Sequence, residues 1–139
     1  MIFADTNVVS ETLRKTPDKH VRDWLIRFDA EIALPTVTIA EIAFGIHKIR
    51  TDQRAARLTR GLEDWRNRFA DRIYPFTEAA ALAYGTIMGE ANRRSRPLSV
   101  PDGMIAATAI VNRSIPATRN IADFRAIPEL DLVNPWDFR

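Results

Sequence analysis

Four carboxylates stand at places where short apolar runs give way to polar residues. Asp5 ends the opening run Ile2-Phe3-Ala4 and is followed by Thr6 and Asn7. Glu41 closes Thr38-Ile39-Ala40-Glu41, Asp102 follows Ser99-Val100-Pro101, and Asp123 lies six residues beyond Ile115-Pro116-Ala117. Carboxylates accompanied by hydroxyl and amide groups can ligate a hard cation or hold its waters. Thr118 and Asn120, directly after an apolar run, are placed to bind a phosphate or order a water. Each acid also has an ordinary structural use. Asp5 can cap the helix that follows it, and Thr38 with Glu41 matches a capping box. Asp102 sits beside a proline at a helix start, where negative charge is favoured, and Asp123 can cap a short helix. The two kinds of role are compatible, so the question is whether the fold gathers these groups.

The elements that would do so are short strands alternating with helices. Ile2–Ala4, Ile32–Leu34, Ile73–Tyr74, Ile115–Ala117 and Leu132–Val133 read as strands. Between them fall helical stripes: Val21, Trp24, Leu25 and Phe28 after Asp18, then Ile39, Ile42, Ile46 and Ile49. A third runs over Gln53–Ala70 with Leu58, Leu62, Trp65 and Phe69, and a fourth, capped by Thr77, carries Tyr84, Ile87 and Met88. The helix after Asp102 is rich in small residues, which predicts close packing of its backbone against the sheet and a fixed Asp102. Such alternation predicts an α/β domain with a parallel sheet covered on both faces. Residues at the carboxyl ends of neighbouring strands then share one crevice, whatever their distance in sequence. Trp24 and Trp65 fall on stripes and are expected in the core.

Composition narrows the classes of function. With 139 residues, 46% hydrophobic and 27% charged, the chain suits one domain over 1–139. No cysteine is present, which excludes disulfides, thiolate metal sites and a cysteine nucleophile. No apolar run approaches the ~20 residues of a membrane span, and the opening residues lack a signal-peptide pattern, so a cytoplasmic protein is expected. The net charge is +2; of 20 basic residues only Lys15, Lys19 and Lys48 are lysines. Arginine's planar fork suits phosphate. Arg14, Arg93, Arg94, Arg96 and Arg119 flank the acidic segments or lie in loops, where they could guide a polyanion. His20 and His47 lie outside those segments and read as surface or helix-face residues.

The segments IFADTNVVSE, TVTIAEIAFGI, DGMIAATA and ATRNIADF resemble, in order and spacing, the PIN-domain ribonucleases, and more narrowly the VapC and FitB-type toxins of bacterial type II toxin–antitoxin pairs. The closing NPWDF is similar to the end of FitB-type members. The resemblance implies a PIN-like three-layer fold with a central parallel sheet of about five strands flanked by helices. It also implies an acidic pocket binding Mg2+ or Mn2+, cleavage of RNA by metal-activated water, a cognate antitoxin as partner, and a homodimer. Carried over residue by residue, the catalytic acids fall on Asp5, Glu41, Asp102 and Asp123, with Asp5 and Asp102 as direct metal ligands. Glu41 and Asp123 are left to ligate through water, complete a second metal site or orient the nucleophile. Asn7, Thr118 and Asn120 become positioning residues. Two rivals remain. A haloacid-dehalogenase-like phosphatase needs a second Asp two residues after the first, where this chain has Asn7. A non-catalytic antitoxin- or RNA-binding module would not require intact acids.

Overall fold

Ile2–Ala4 (β1), Ile32–Pro35 (β2), Ile73–Tyr74 (β3) and Ile115–Ala117 (β4) are rich in β-branched and apolar residues and pair as parallel neighbours in the computed structural model, which describes residues 1–139. The order is β3-β2-β1-β4, with Phe3 opposite Ala33 on one side and Pro116 on the other. The sheet therefore has four strands, not the expected five. The segment Leu132–Val133 contributes a single parallel bridge, Val133 to Ala117. Pro116 explains the shortfall. Its carbonyl accepts from Val133 N–H at 3.1 Å, but it has no N–H to donate the preceding rung, so the ladder cannot grow backwards.

Seven helices join and cover the strands: Thr6–Thr12 (α1), Lys19–Phe28 (α2), Thr36–Lys48 (α3), Arg54–Arg68 (α4), Glu78–Arg93 (α5), Val100–Val111 (α6) and Ile121–Phe124 (α7). Because successive strand residues face opposite sides, Ile2 and Ala4 pack with the α1–α4 layer while Phe3 packs with Ala33 and Ala109 of α6. Trp24 and Trp65 lie in the α1–α4 core, as expected, among Val21, Leu62 and Phe69. The opposite layer is filled from α5, α6, α7 and the chain beyond it by Ala80, Ile87, Ala106, Phe124 and Ile127.

The helix starts show which local signals prevailed. Asp18 accepts from His20 and Val21 N–H at 2.8 and 3.2 Å, and Thr77 accepts from Ala80 N–H at 3.1 Å. The capping box over Thr38–Glu41 does not form. Helix α3 begins at Thr36 behind Pro35 without a side-chain cap, and the Thr38 hydroxyl donates instead to Ala4 O at 2.9 Å. In α6, Ser99 caps through Asp102 N–H at 3.2 Å. The small residues of α6 serve two neighbours rather than the sheet alone. Ala109 meets Phe3 and Ala33, but Gly103 faces α5, where a Cβ would stand 2.5 Å from Met88 Sδ.

Candidate active site

The chain passes from β1 outward to β2 and β3, then returns to place β4 on the other flank of β1. Ligands of open parallel sheets bind beyond the strand ends where the order reverses in this way. Asp5 directly follows β1 and Thr118 directly follows β4, and the Thr118 hydroxyl donates to Asp5 Oδ2 at 2.7 Å. Asn7 Nδ2 donates to the same oxygen at 3.0 Å, and Thr6 N–H donates to Oδ1 at 2.8 Å, so Asp5 also caps α1. Asp5 is only 2% exposed. Burial raises its carboxyl above the ordinary 3.8; these three hydrogen bonds oppose the rise and the charge of Glu41 adds to it.

Freed from helix capping, Glu41 turns towards the same point. Its Oε1 accepts the Thr6 hydroxyl, across 35 positions of sequence. Asp102, in the first turn of α6, is half-buried and is pushed up to about 6. Burial is the largest cause, followed by the negative charge of Asp5; Ser99 pulls the other way and Asp123 adds a further push.

Asp5, Glu41 and Asp102 line one cavity of about 490 Å³ together with Thr6, Asn7 and Asn120. Asp123 does not line it; it is exposed in the first turn of α7 and reaches the site only through its charge on Asp102. Thr118 is buried beneath the cavity floor, bonded to Asp5 and accepting Asn120 N–H at 2.9 Å. No three acidic or histidine side chains come close enough about one point to form a finished ligand set. Of the four acids expected around space for a hydrated cation, three therefore share the cavity and Asp123 stands outside it. The like charges of Asp5, Glu41 and Asp102 repel one another, and Asp5 and Glu41 spend oxygens on internal hydrogen bonds.

Of the candidate guiding arginines, Arg14 and Arg119 line the cavity. Arg93 pairs with Glu90 at 2.6 Å, while Arg94 and Arg96 donate to the carbonyls of Ala126 and Ala122, each at 3.3 Å. Those three lie off the cavity wall, as do His20 and His47. Ser10, Glu11 and Trp136 also line it and were not anticipated. A partial signal for the first two was present: Asn7, Ser10 and Glu11 follow the i, i+3, i+4 pattern of one face of the short helix α1, with Arg14 just past its end. Glu11 is buried, pairs with Arg14 at 3.3 Å and accepts Asp18 N–H at 2.9 Å, fixing the α1–α2 turn.

This arrangement coincides with a match of the sequence profile of the PIN domain to residues 2–130. The chain belongs to the PIN domain family. It is similar to the VapC ribonuclease Y4jK of Sinorhizobium fredii, 34% identical over 99% of both chains. It is also similar to Toxin FitB of Neisseria gonorrhoeae, 36% identical over 98% of this chain and 99% of that one. Among solved structures, the crystal structure of FitAcB from Neisseria gonorrhoeae superposes with a TM-score of 0.88 at 34% identity, covering 99% of this chain and 100% of that one. All four acids fall within the PIN domain match, whereas Trp136 lies beyond it.

The donor chemistry of this PIN domain suits Mg2+ or Mn2+. The cavity offers carboxylate, hydroxyl and amide oxygens and no histidine. Asp5 is raised by burial and the charge of Glu41, and Asp102 by burial and the charges of Asp5 and Asp123, so a cation beside them would favour their charged forms.

Proposed function

We propose that the chain is a Mg2+- or Mn2+-dependent endoribonuclease, the toxin of a type II toxin–antitoxin pair. The supporting observation is the meeting of Asp5, Glu41 and Asp102 in one cavity at the sheet's reversal point, in a chain similar to a VapC ribonuclease and to Toxin FitB. Asp5 and Asp102 would hold the ion, with Glu41 and Asp123 adding negative field or water-mediated contacts. When bound, such an ion supplies Lewis acidity and positive charge for phosphodiester hydrolysis.

The chain's own groups do the rest. Thr118, Asn7 and Thr6 N–H hold the Asp5 carboxylate in one orientation. Thr6 does the same for Glu41 through its hydroxyl. Arg14 and Arg119 put positive charge on the cavity wall to receive a phosphate backbone. Water attacks phosphorus, its oxygen forming the new P–O bond and giving up a proton to solvent, while the bond to the leaving ribose oxygen breaks and that oxygen takes up a proton from solvent. Asn7 and Asn120 present amides to phosphate or to the attacking water. Free toxin is harmful to its host, so a cognate antitoxin would cover the cavity, and a homodimer is the form expected from the resemblance. No helix of the chain is long and apolar enough to cross a membrane.

The test is cleavage of single-stranded RNA by wild-type and Asp102→Asn protein, with Mg2+ and with a chelator. Cleavage by wild type with Mg2+ alone is expected. Equal cleavage by both proteins, or in chelator, would overturn the reading. A wild-type protein that binds RNA without cutting it would favour the binding module.

A further inference from the structure

Apart from its acids, the cavity wall carries a cation stacked over an aromatic ring. The Arg119 guanidinium carbon lies 4.9 Å from the centroid of the Trp136 ring. Trp136 is the one hydrophobic side chain on an otherwise polar wall. Arg119 takes part in none of the chain's ion pairs, whereas Arg14, the other cation on the wall, is paired with Glu11.

Both partners of the stack are held in place. Arg119 N–H donates to Asn7 Oδ1 at 3.1 Å, and Asn7 Nδ2 donates to Asp5 Oδ2 at 3.0 Å, so the stack is two hydrogen bonds from the carboxylate at the centre of the site. Trp136 sits in the single turn Pro135–Asp137, with its N–H donated to Asn134 Oδ1 at 3.0 Å. The tail leading to it is tied to β4 by Thr118 N–H to Val133 O at 2.9 Å, and Phe138 beyond it packs edge-on against Phe28 at 5.9 Å. An arginine lying over a surface tryptophan can merely shield it. Here the pair instead occupies the rim of a cavity that carboxylates dominate, with an unpaired charge and a backbone fixed from both ends.

We infer that Arg119 and Trp136 form a platform on which a nucleobase next to the cleaved phosphodiester stacks. The inference rests on the ribonuclease reading and adds a base-binding subsite to it. Guanidinium planes and aromatic rings are the surfaces on which unpaired bases stack, with little dependence on which base is present. A paired base has no free face to offer, so the platform selects single-stranded or looped RNA by strandedness rather than sequence. It also supplies the attraction that an acidic pocket needs to hold a polyanion.

The test uses the full-length protein with Ca2+ in place of Mg2+, titrated with a short oligoadenylate and with inorganic polyphosphate of matched charge, the strand being checked as intact afterwards. Trp136→Ala should weaken oligoadenylate binding on the order of tenfold and leave polyphosphate unchanged, while Trp136→Phe restores binding. Arg119→Ala, at an exposed position where folding is not at risk, should weaken both. In wild type, oligoadenylate should quench tryptophan fluorescence, and Trp136→Phe should remove that quenching because Trp24 and Trp65 are buried. Unchanged oligoadenylate affinity in both alanine variants, or an equal loss of both ligands in Trp136→Ala, overturns the platform. If wild type cuts RNA with Mg2+ yet shows either result, only the platform fails. If wild type neither binds nor cuts RNA, the ribonuclease reading fails with it.

Discussion

The two walls that carry the carboxylates are built on opposite plans. At the end of β1, Asp5 is buried and its oxygens accept three hydrogen bonds, from Thr6 N–H, Asn7 and, 113 positions away, Thr118. At the start of α6, Asp102 is half-buried, faces the charges of Asp5 and Asp123, and has only Ser99 to ease it. Asp5 is part of the fold as well as part of the site. Asp102 is held in position by the packing of its helix, while its charge works against the folded state. One site thus combines a carboxyl tied down by hydrogen bonds, though burial still raises it, with one held by the packing of its helix.

Substituting each by asparagine separates the two plans most sharply. Both changes should remove RNA cleavage, by more than the ~10–100-fold that loss of an outer-sphere partner costs a metal site. Their effects on stability should diverge. Asp5→Asn leaves a buried donor facing the amide and should cost about 1–3 kcal/mol in urea unfolding. Asp102→Asn removes an unfavourable charge, so in chelator its midpoint should equal or exceed that of wild type. If Asp102→Asn proved the more destabilising of the two, the contrast would be wrong.

Acidity sharpens the same contrast. The Asp102 carboxyl is raised from the ordinary 3.8 to about 6. Between those values the folded protein keeps a proton that the unfolded chain has released. Stability from this group is therefore full below the lower value and is lost as pH rises through about 6. Metal-free wild type should lose melting temperature across that window, and Asp102→Asn should lose less. A divalent ion should recover the loss above pH 6 and do little near pH 4, where the carboxyls are protonated. At an ion concentration of 100 times Kd, linkage predicts about 2.7 kcal/mol. A calorimetric series with and without Mg2+ reads both effects, and an Mg2+ shift equal at pH 4 and pH 7.5 would remove the electrostatic argument.

What was legible in the sequence follows the same division between local and distant causes. Asp5 after its strand, Asp102 in a proline-bearing first turn, and the caps Asp18 and Thr77 are set by neighbouring residues and could be read directly. The Thr38–Glu41 box failed because Thr38 is taken by Ala4 O, a contact 34 positions away that no local pattern records. That same loss turned Glu41 towards Thr6. The fifth strand failed for a visible reason, the missing N–H of Pro116. Ser10 and Glu11 lie on a seven-residue helix, too short for its polar face to stand out. Arg93, Arg94 and Arg96 looked like free cations, but Glu90 and the carbonyls of Ala122 and Ala126 engage them. The segment that brings Trp136 to the cavity is set by one parallel bridge and a turn, neither of which has a hydrophobic period.

The smallest effects distinguish the supports rather than the acids. Thr118→Val removes the 2.7 Å bond to Asp5 and leaves the Asn120 N–H and an Asn7 amide proton without their acceptor. It should lower metal affinity or activity by ~10–100-fold, as loss of an outer-sphere partner does, and cost about 1–3 kcal/mol in stability through stranded donors. Ser99→Ala removes the α6 cap at an exposed site, which costs about 1 kcal/mol. It also removes the one group that lowers the Asp102 carboxyl, moving its titration further upward. Because the rest of α6 stays anchored by Gly103 against Met88 and by Ala109 against Phe3, activity near neutral pH should fall by less than tenfold and recover as pH rises. The ratio of the two losses is what matters. A Ser99→Ala defect as deep as that of Thr118→Val, and independent of pH, would mean that Asp102 depends on a local bonding network as Asp5 does.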